Sequence, residues 1–249
     1  MFSKLMTVFI LTLLASSLYA SSLTVAVAAN VRFAFAEIAS LYEKNSGVKI
    51  IPIVASSGKL TAQIEQGAPF DLFLSANMKY PNYLYEEKLA INEAKIYAYG
   101  ALVLWSLNDK IDVTVDNLKN GNIKKIAIPN PQNAPYGVEA MKFLDKKGLK
   151  ELLFPKLVFG SSISQTNQYI YSRAADIGIT AKSVVLSPKM KNQGTWININ
   201  KNDYTPIKQG VVILKYGFLH NKDISRDFYN FLFSKESTEI LEKYGYILP

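Results

Sequence analysis

The apolar positions of this chain follow two rhythms that alternate from one end to the other. Residues 23–28 form a short β-rich apolar run, whereas 33–43 place Phe33, Ala36, Ile38 and Leu41 near one helical face before Gly47. Short continuous apolar runs read as buried strands, and apolar residues three or four apart read as amphipathic helices. The same reading gives strands at 48–54 and 71–75 and helices at 60–66 and 80–87. Residues 99–106 form a longer apolar run without helical spacing. Then come a strand at 125–128, a helix entered through Pro129, Pro131 and Pro135 and ending near Lys147, a strand at 156–159, a helix at 165–173 and a strand at 176–180. Residues 187–194 read as loop, 195–199 and 210–215 as strands, and 224–233 and 237–244 as closing amphipathic helices. Strands alternating with helices predict an α/β fold with largely parallel sheets.

No internal repeat and no low-complexity linker interrupts this pattern. Two domains must therefore exchange the chain through ordered segments. The outward run near 99–106 and a return near 208–215 are the candidates. This predicts two α/β lobes, one discontinuous (21–100 with 211–249) and one inserted (101–210). Two such crossings make a hinge with a cleft between the lobes, a common place for a ligand.

Composition changes the picture mainly at the N-terminus. Residues 1–20 carry Lys4, an apolar run over 5–15, and small or polar residues ending in Leu18-Tyr19-Ala20. That is the layout of a secretory signal peptide, with cleavage expected between Ala20 and Ser21. The apolar run is too short for a membrane span, which takes roughly 20 residues. The chain has no cysteine. This excludes disulfides, thiolate metal sites, cysteine nucleophiles and a lipid-modified cysteine after the signal. A free, exported protein is expected, and the periplasm of a bacterium with two membranes suits it. The formal charge of +8, or +7 without Lys4, suits an anionic partner. The lysines are scattered, with pairs such as Lys124-Lys125 and Lys146-Lys147, and read as a solvated surface. Nucleic-acid binding, which needs basic clusters interleaved with stacking aromatics, is not expected.

The chemistry gathers at turns that lead from strands into helices. These are Ala28-Ala29-Asn30-Val31, Ala55-Ser56-Ser57-Gly58, Ala134-Pro135-Tyr136-Gly137 and Gly160-Ser161-Ser162-Ile163. Singly, each is an ordinary helix start: Asn and Ser cap orphan N–H groups, and Pro135 fits a first helical turn. Ser162-Ile163-Ser164-Gln165 fits a capping box, which leaves backbone N–H, that of Ile163, as the donor there. Taken as a set, helix N-termini facing one another across a cleft bind a compact anion without any charged side chain. None of the turns contains Asp or Glu. A donor-only site has no acceptor for the proton that phosphate keeps near neutral pH, so it favours a fully deprotonated dianion. Other chemistry is thinly represented. His220, beside Asn221 and Lys222, reads as a turn residue. Asp71, at the start of an apolar strand, reads as a structural hydrogen-bond acceptor. No cluster of carboxylates at metal-ligand spacing and no Gly-rich phosphate fingerprint is present.

At these residues the chain resembles the periplasmic molybdate-binding proteins of ABC importers. The resemblance spans the mature chain. It rests on residues 24–29 (TVAVAA), 55–58 (ASSG), the most specific run 63–76 (QIEQGAPFDLFLSA), 176–180 (DIGIT) and 244–246 (YGY). It implies the two-lobed type II periplasmic binding protein fold, and an anion enclosed by neutral donors and held through its oxygens, with no metal ion coordinated directly. It places Ser57 at a binding serine and Tyr136 and Ile163 at positions that supply backbone N–H. Asn30 stands where the family commonly has a serine, and its NH2 is also a donor. Ala181 stands where a tyrosine hydroxyl is usual, so Lys59, Lys182 or a shifted Tyr136 are the candidate replacements. The resemblance further implies a ligand, molybdate or tungstate, rather than a cofactor, and a membrane permease as partner of a monomeric, non-catalytic protein. The alternatives are a binding protein for sulfate or an organic acid, or an exported enzyme using Ser57 or His220 on the same scaffold.

Overall fold

A computed structural model describes residues 21–249; the expected signal peptide at 1–20 lies outside the described residues. One sheet is built from β1 (Ser22–Ala28), β2 (Lys49–Ala55), β3 (Leu72–Leu74), β4 (Lys95–Gly100) and β10 (Ile207–Ile213). Its order is β2-β1-β3-β10-β4, with β1 parallel to β2 and β3, and β10 antiparallel to β3 and β4. Parallel neighbours need a crossover, and α1 (Arg32–Ser46) and α2 (Ser57–Glu65) supply it; α3 (Lys79–Glu86) follows β3. The second sheet is formed by β5 (Leu102–Ser106), β6 (Ile126–Pro129), β7 (Leu157–Gly160), β8 (Ile177–Ala181) and β9 (Thr195–Asn198), in the order β7-β6-β8-β5-β9. There α4 (Pro135–Lys146), α5 (Lys150–Leu153), α6 (Ile163–Tyr171) and α7 (Lys182–Val185) connect the strands. The chain closes with α8 (Lys215–His220), α9 (Lys222–Phe231) and α10 (Lys235–Lys243). The α/β class expected from the alternating pattern is the one observed.

The strands of the first sheet show why they read as unbroken apolar runs. Successive side chains point to opposite faces. Val25, Val27, Leu72, Leu74, Val211 and Ile213 therefore pack on one side with Phe35, Tyr42 and Phe228. Ala26, Phe73 and Val212 pack on the other with Leu60, Ile64 and Leu84. Both faces are covered along the central β1 and β3, so no polar alternation survives there, whereas the edge strand β2 is largely exposed. The second sheet has its own core, including Trp105, Ile126, Ile128, Phe143, Leu144 and Ile179.

The structure departs from the pattern reading in three respects. The sheets are mixed rather than largely parallel, because β10 and β5 run antiparallel to both of their neighbours. The single run expected at 99–106 is broken at Ala101 into β4 and β5, which belong to different sheets. The break follows Gly100, where any Cβ would overlap the Tyr136 hydroxyl and crowd the Gln209 side chain. The helices α5, α7 and α8, of four to six residues, leave no trace in the pattern, because they are too short to display a helical period. His220 accordingly ends a helix rather than sitting in an open turn. Asp71 accepts from the Thr24 N–H at 2.6 Å and from Asn221 Nδ2 at 2.9 Å, the structural role expected of it. Burial nevertheless raises its carboxyl above the ordinary range.

Phe228 joins α9 to the first sheet, lying edge-on to Phe35 at 5.9 Å and to Tyr42 at 4.9 Å between ring centroids. It is fully buried. Phe228→Ala is expected to destabilise the protein by about 3–5 kcal/mol in urea unfolding, the usual cost of removing a core aromatic.

Candidate functional site

The structure brings the strand-to-helix turns together between the two sheets. The loop after β1, the loop after β2 and the residue after the β3 end approach from the first sheet; the starts of α4 and α6 approach from the second. They line a small cavity of about 10 Å³, room for about one water-sized sphere. Ala28, Ala29, Asn30, Ser56, Ser57 and Ala76 form one wall, and Ala134, Pro135, Tyr136 and Ile163 the other. Asn30, Ser57, Tyr136 and Ile163 are thus gathered at one point. No charged side chain is among the lining residues described. The alanines keep the walls thin, so that backbone reaches the cavity.

The donors that face this space are left over from helix formation. The first N–H groups of a helix have no intrahelical acceptor, and a capping side chain normally takes one or more of them. Here α1 starts after Val31, α2 after Ser56 and α4 after Ala134, each without a side-chain cap bond. Only α6 is capped: Ser162 Oγ accepts from the Gln165 N–H at 3.3 Å, and Gln165 Oε1 returns to the Ser161 N–H at 2.6 Å. The Ile163 N–H lies outside both bonds. None of the four helices carries an acidic residue in its first turn. A partial positive charge without a local counter-charge is an anion site.

Two hydroxyls add to the set. Ser57 Oγ, buried, accepts from the Ala76 N–H at 3.0 Å, which leaves its own proton to donate. Ser56 Oγ is also buried and has no hydrogen-bond partner. A buried hydroxyl without a partner costs roughly 1–3 kcal/mol. Sequence reasoning misses Ser56 because a serine before a helix reads as a cap; the signal that could have found it is the doublet Ser56-Ser57 itself. Across the cavity the Gly58 N–H donates to the Asn133 carbonyl at 2.9 Å, joining the start of α2 to the loop before α4.

Behind Asn30 and Tyr136 lies a buried, uncharged hydrogen-bond network. The Asn30 NH2 donates to Gln209 Oε1 at 2.7 Å and to the Tyr246 hydroxyl at 3.0 Å. Both of its amide hydrogens are therefore taken. This NH2, expected to take the place of a serine hydroxyl, is thus engaged within the protein rather than free toward the cavity. Gln209 accepts from the Tyr97 hydroxyl at 3.0 Å and donates to the Tyr136 hydroxyl at 3.3 Å. The Tyr136 hydroxyl is accordingly held against Gly100 and does not stand in for the donor missing at Ala181. Burial pushes the Tyr97 and Tyr136 phenols well up and that of Tyr246 to about 12, so the network stays neutral across the physiological range.

The other expected replacements lie off the cavity. Ala181 is buried at the end of β8, paired with Leu102. Lys59 is exposed on α2, and Lys182 is half-buried with its methylenes close to Gly245. None of the three lines the cavity. His220, exposed at the end of α8, stacks on Tyr216 at 4.4 Å and is not among the lining residues. Ser57 therefore has no histidine beside it. No group of three His, Cys, Asp or Glu that would hold a metal ion occurs among the described residues.

Comparison with known proteins places this geometry in a family. Residues 23–247 match the family described as bacterial extracellular solute-binding protein. The chain is 36% identical over 236 residues to the molybdate-binding protein ModA of Azotobacter vinelandii, covering 94% of this chain and 93% of that protein. It is 36% identical to the molybdate-binding protein ModA of Rhodobacter capsulatus over 230 residues, covering 92% and 89%. The solved structure of the Azotobacter vinelandii periplasmic molybdate-binding protein superposes with a TM-score of 0.86 at 32% identity, covering 91% of this chain and 99% of that one. The chain belongs to the bacterial extracellular solute-binding protein family, and its fold is that of the periplasmic binding proteins.

Proposed function

We propose that this protein is the substrate-binding component of an ABC importer, capturing molybdate, and tungstate with it, and delivering it to a membrane permease. The observation that carries the reading is the cavity itself: small, walled from both sheets, lined by uncharged groups and backed by helix N-termini, three of them without a side-chain cap. The names of its relatives support the choice of molybdate. The anion is held through its oxygens by the N–H groups of Asn30, Ser57, Tyr136 and Ile163 and by the hydroxyls of Ser57 and Ser56. Selectivity comes from size and from donor-only chemistry. A protonated phosphate meets no carboxylate there, while sulfate shares the dianion charge and is the competitor that size must exclude.

Capture proceeds by closure of two lobes about the crossings next to Gly100 and before β10. Since Ile207–Gly210 already pair with β4 in the first sheet, the return comes before Ile207 rather than at 211, and the lobes are residues 21–100 with 207–249 and residues 101–206. The closed form docks on the permease. The family to which the chain belongs is extracellular, and we assign this member to the periplasm, exported by residues 1–20 and released as a free monomer. Capture requires binding and closure but no bond-making step, and Ser57 is assigned to hydrogen bonding.

Calorimetric titration of residues 21–249 tests the ligand. Tight binding of molybdate and tungstate without phosphate binding is expected; tight phosphate binding with no response to molybdate overturns the reading. Ser57→Ala is expected to weaken molybdate binding by about 1–3 kcal/mol, the cost of losing a buried donor to a charged partner. Closure has its own test at Gly58. An added Cβ would meet the Tyr80 hydroxyl at 2.8 Å and Asn133 backbone at 3.0 Å. The Tyr80 hydroxyl is the end of a side chain in the same lobe and can give way, whereas the Asn133 backbone belongs to the other lobe. Gly58→Ala is therefore expected to weaken molybdate binding about tenfold with only a small change in the melting temperature of the anion-free protein. Wild-type affinity in that variant would show that the loops do not close there.

A further inference from the structure

The buried network behind the cavity joins the two halves of the molecule, and nothing in the binding of the anion itself requires it. Asn30 sits in the loop after β1 of the first sheet. Its backbone carbonyl accepts from Ser183 Oγ at 2.7 Å and from the Tyr246 hydroxyl at 3.0 Å. Ser183 belongs to α7, which follows β8 of the second sheet, so its bond to Asn30 crosses between halves. The Gln209 bond to the Tyr136 hydroxyl crosses in the same way, from β10 to α4. Asn30, Ser183, Gln209 and Tyr246 are all buried, and neither Ser183, Gln209 nor Tyr246 lines the cavity.

The directions of these bonds form a consistent chain. The Tyr246 hydroxyl accepts a hydrogen bond from the Asn30 amide and donates one to the Asn30 carbonyl, clamping that residue at both ends. Asn30 then has a single orientation in which its N–H faces the cavity. Tyr136 is clamped likewise: its ring is fixed at the hydroxyl by Gln209, and its backbone belongs to the α4 start that lines the cavity. Bonds that cross between halves exist only when the halves are together. Separating them exposes or orphans buried polar groups, a cost that slows opening.

We propose that Ser183, Gln209 and Tyr246 are positioning residues that set the release rate of the anion without touching it. They hold Asn30 and Tyr136 in their cavity-facing orientation and latch the closed form. The proposal rests on the anion-binding reading above.

The test is release of radiolabelled molybdate from the preloaded protein into excess unlabelled molybdate, for wild type, Ser183→Ala and Tyr246→Phe. Ser183→Ala cuts only a crossing bond and leaves the Asn30 carbonyl with Tyr246 as a donor, so the fold is kept. Release is expected to accelerate about 3- to 10-fold in Ser183→Ala, the effect of one lost neutral hydrogen bond, and at least as much in Tyr246→Phe, which loses two. Association within about twofold of wild type and an unchanged molybdate-to-tungstate affinity ratio are expected with it, because affinity changes of this kind fall mostly on the off-rate. A merely structural role would lower the melting temperature and leave release unchanged, and that result overturns the proposal. A shifted anion ratio also overturns it, by placing these groups at the anion. Failure of the wild type to take up molybdate defeats the anion-binding reading itself, whereas normal wild-type uptake with unaltered release in both variants defeats only the positioning role.

Discussion

A small dianion enclosed away from water has to recover from the protein nearly all the hydrogen bonding that it leaves behind, and doing so with charged side chains brings a desolvation cost of its own. This molecule answers with dipoles. Three of the four helix starts around the cavity lack a side-chain cap, and none has an acidic first turn. Most other helices here also lack a side-chain cap, and what sets these starts apart is that they converge on one cavity. Much else follows from this arrangement. The alanines at 28, 29, 76 and 134 bring main chain close, Ser57 accepts from Ala76 so that its proton points elsewhere, and Ser56 keeps a buried hydroxyl without a partner.

A donor set drawn from both sheets is complete only when the sheets are together, which ties binding to the geometry of the crossings. Gly100 lies at one crossing, and the absence of its side chain lets the Tyr136 hydroxyl reach Gln209 on the returning strand. The same tyrosine serves the cavity through its backbone. Closure and ligand contact thus share residues, and a neutral network whose phenols stay protonated keeps this coupling independent of pH in the range where the protein works.

Much of this is legible in the chain because its signals are local. Strand runs such as 23–28, Gly47 ending α1 in the left-handed conformation and the Pro135 start of α4 depend on neighbours in sequence. So do the four turns, whose composition marks donor-rich helix starts, while the choice of Asn30, Ser57, Tyr136 and Ile163 as one donor set comes from the resemblance. What stays hidden is non-local. Asn30 meets Gln209 and Tyr246 across separations of 179 and 216 residues, and no periodicity carries that information. The same holds for the break of the run 99–106 at Ala101, which is set by contact with Tyr136 and Gln209. Ser56 is hidden for a different reason: its residue type already has an ordinary explanation as a cap.

The most direct test of anion capture by neutral donors is a crystal structure of the protein with molybdate, located by anomalous scattering from molybdenum. A single strong peak is expected in the cavity between Ser57 and Tyr136, with anion oxygens within hydrogen-bond distance of the N–H groups of Asn30, Ser57, Tyr136 and Ile163 and no lysine or arginine nitrogen among the contacts. A peak outside that cavity, or an anion held by a charged side chain such as Lys59 or Lys182, would contradict it.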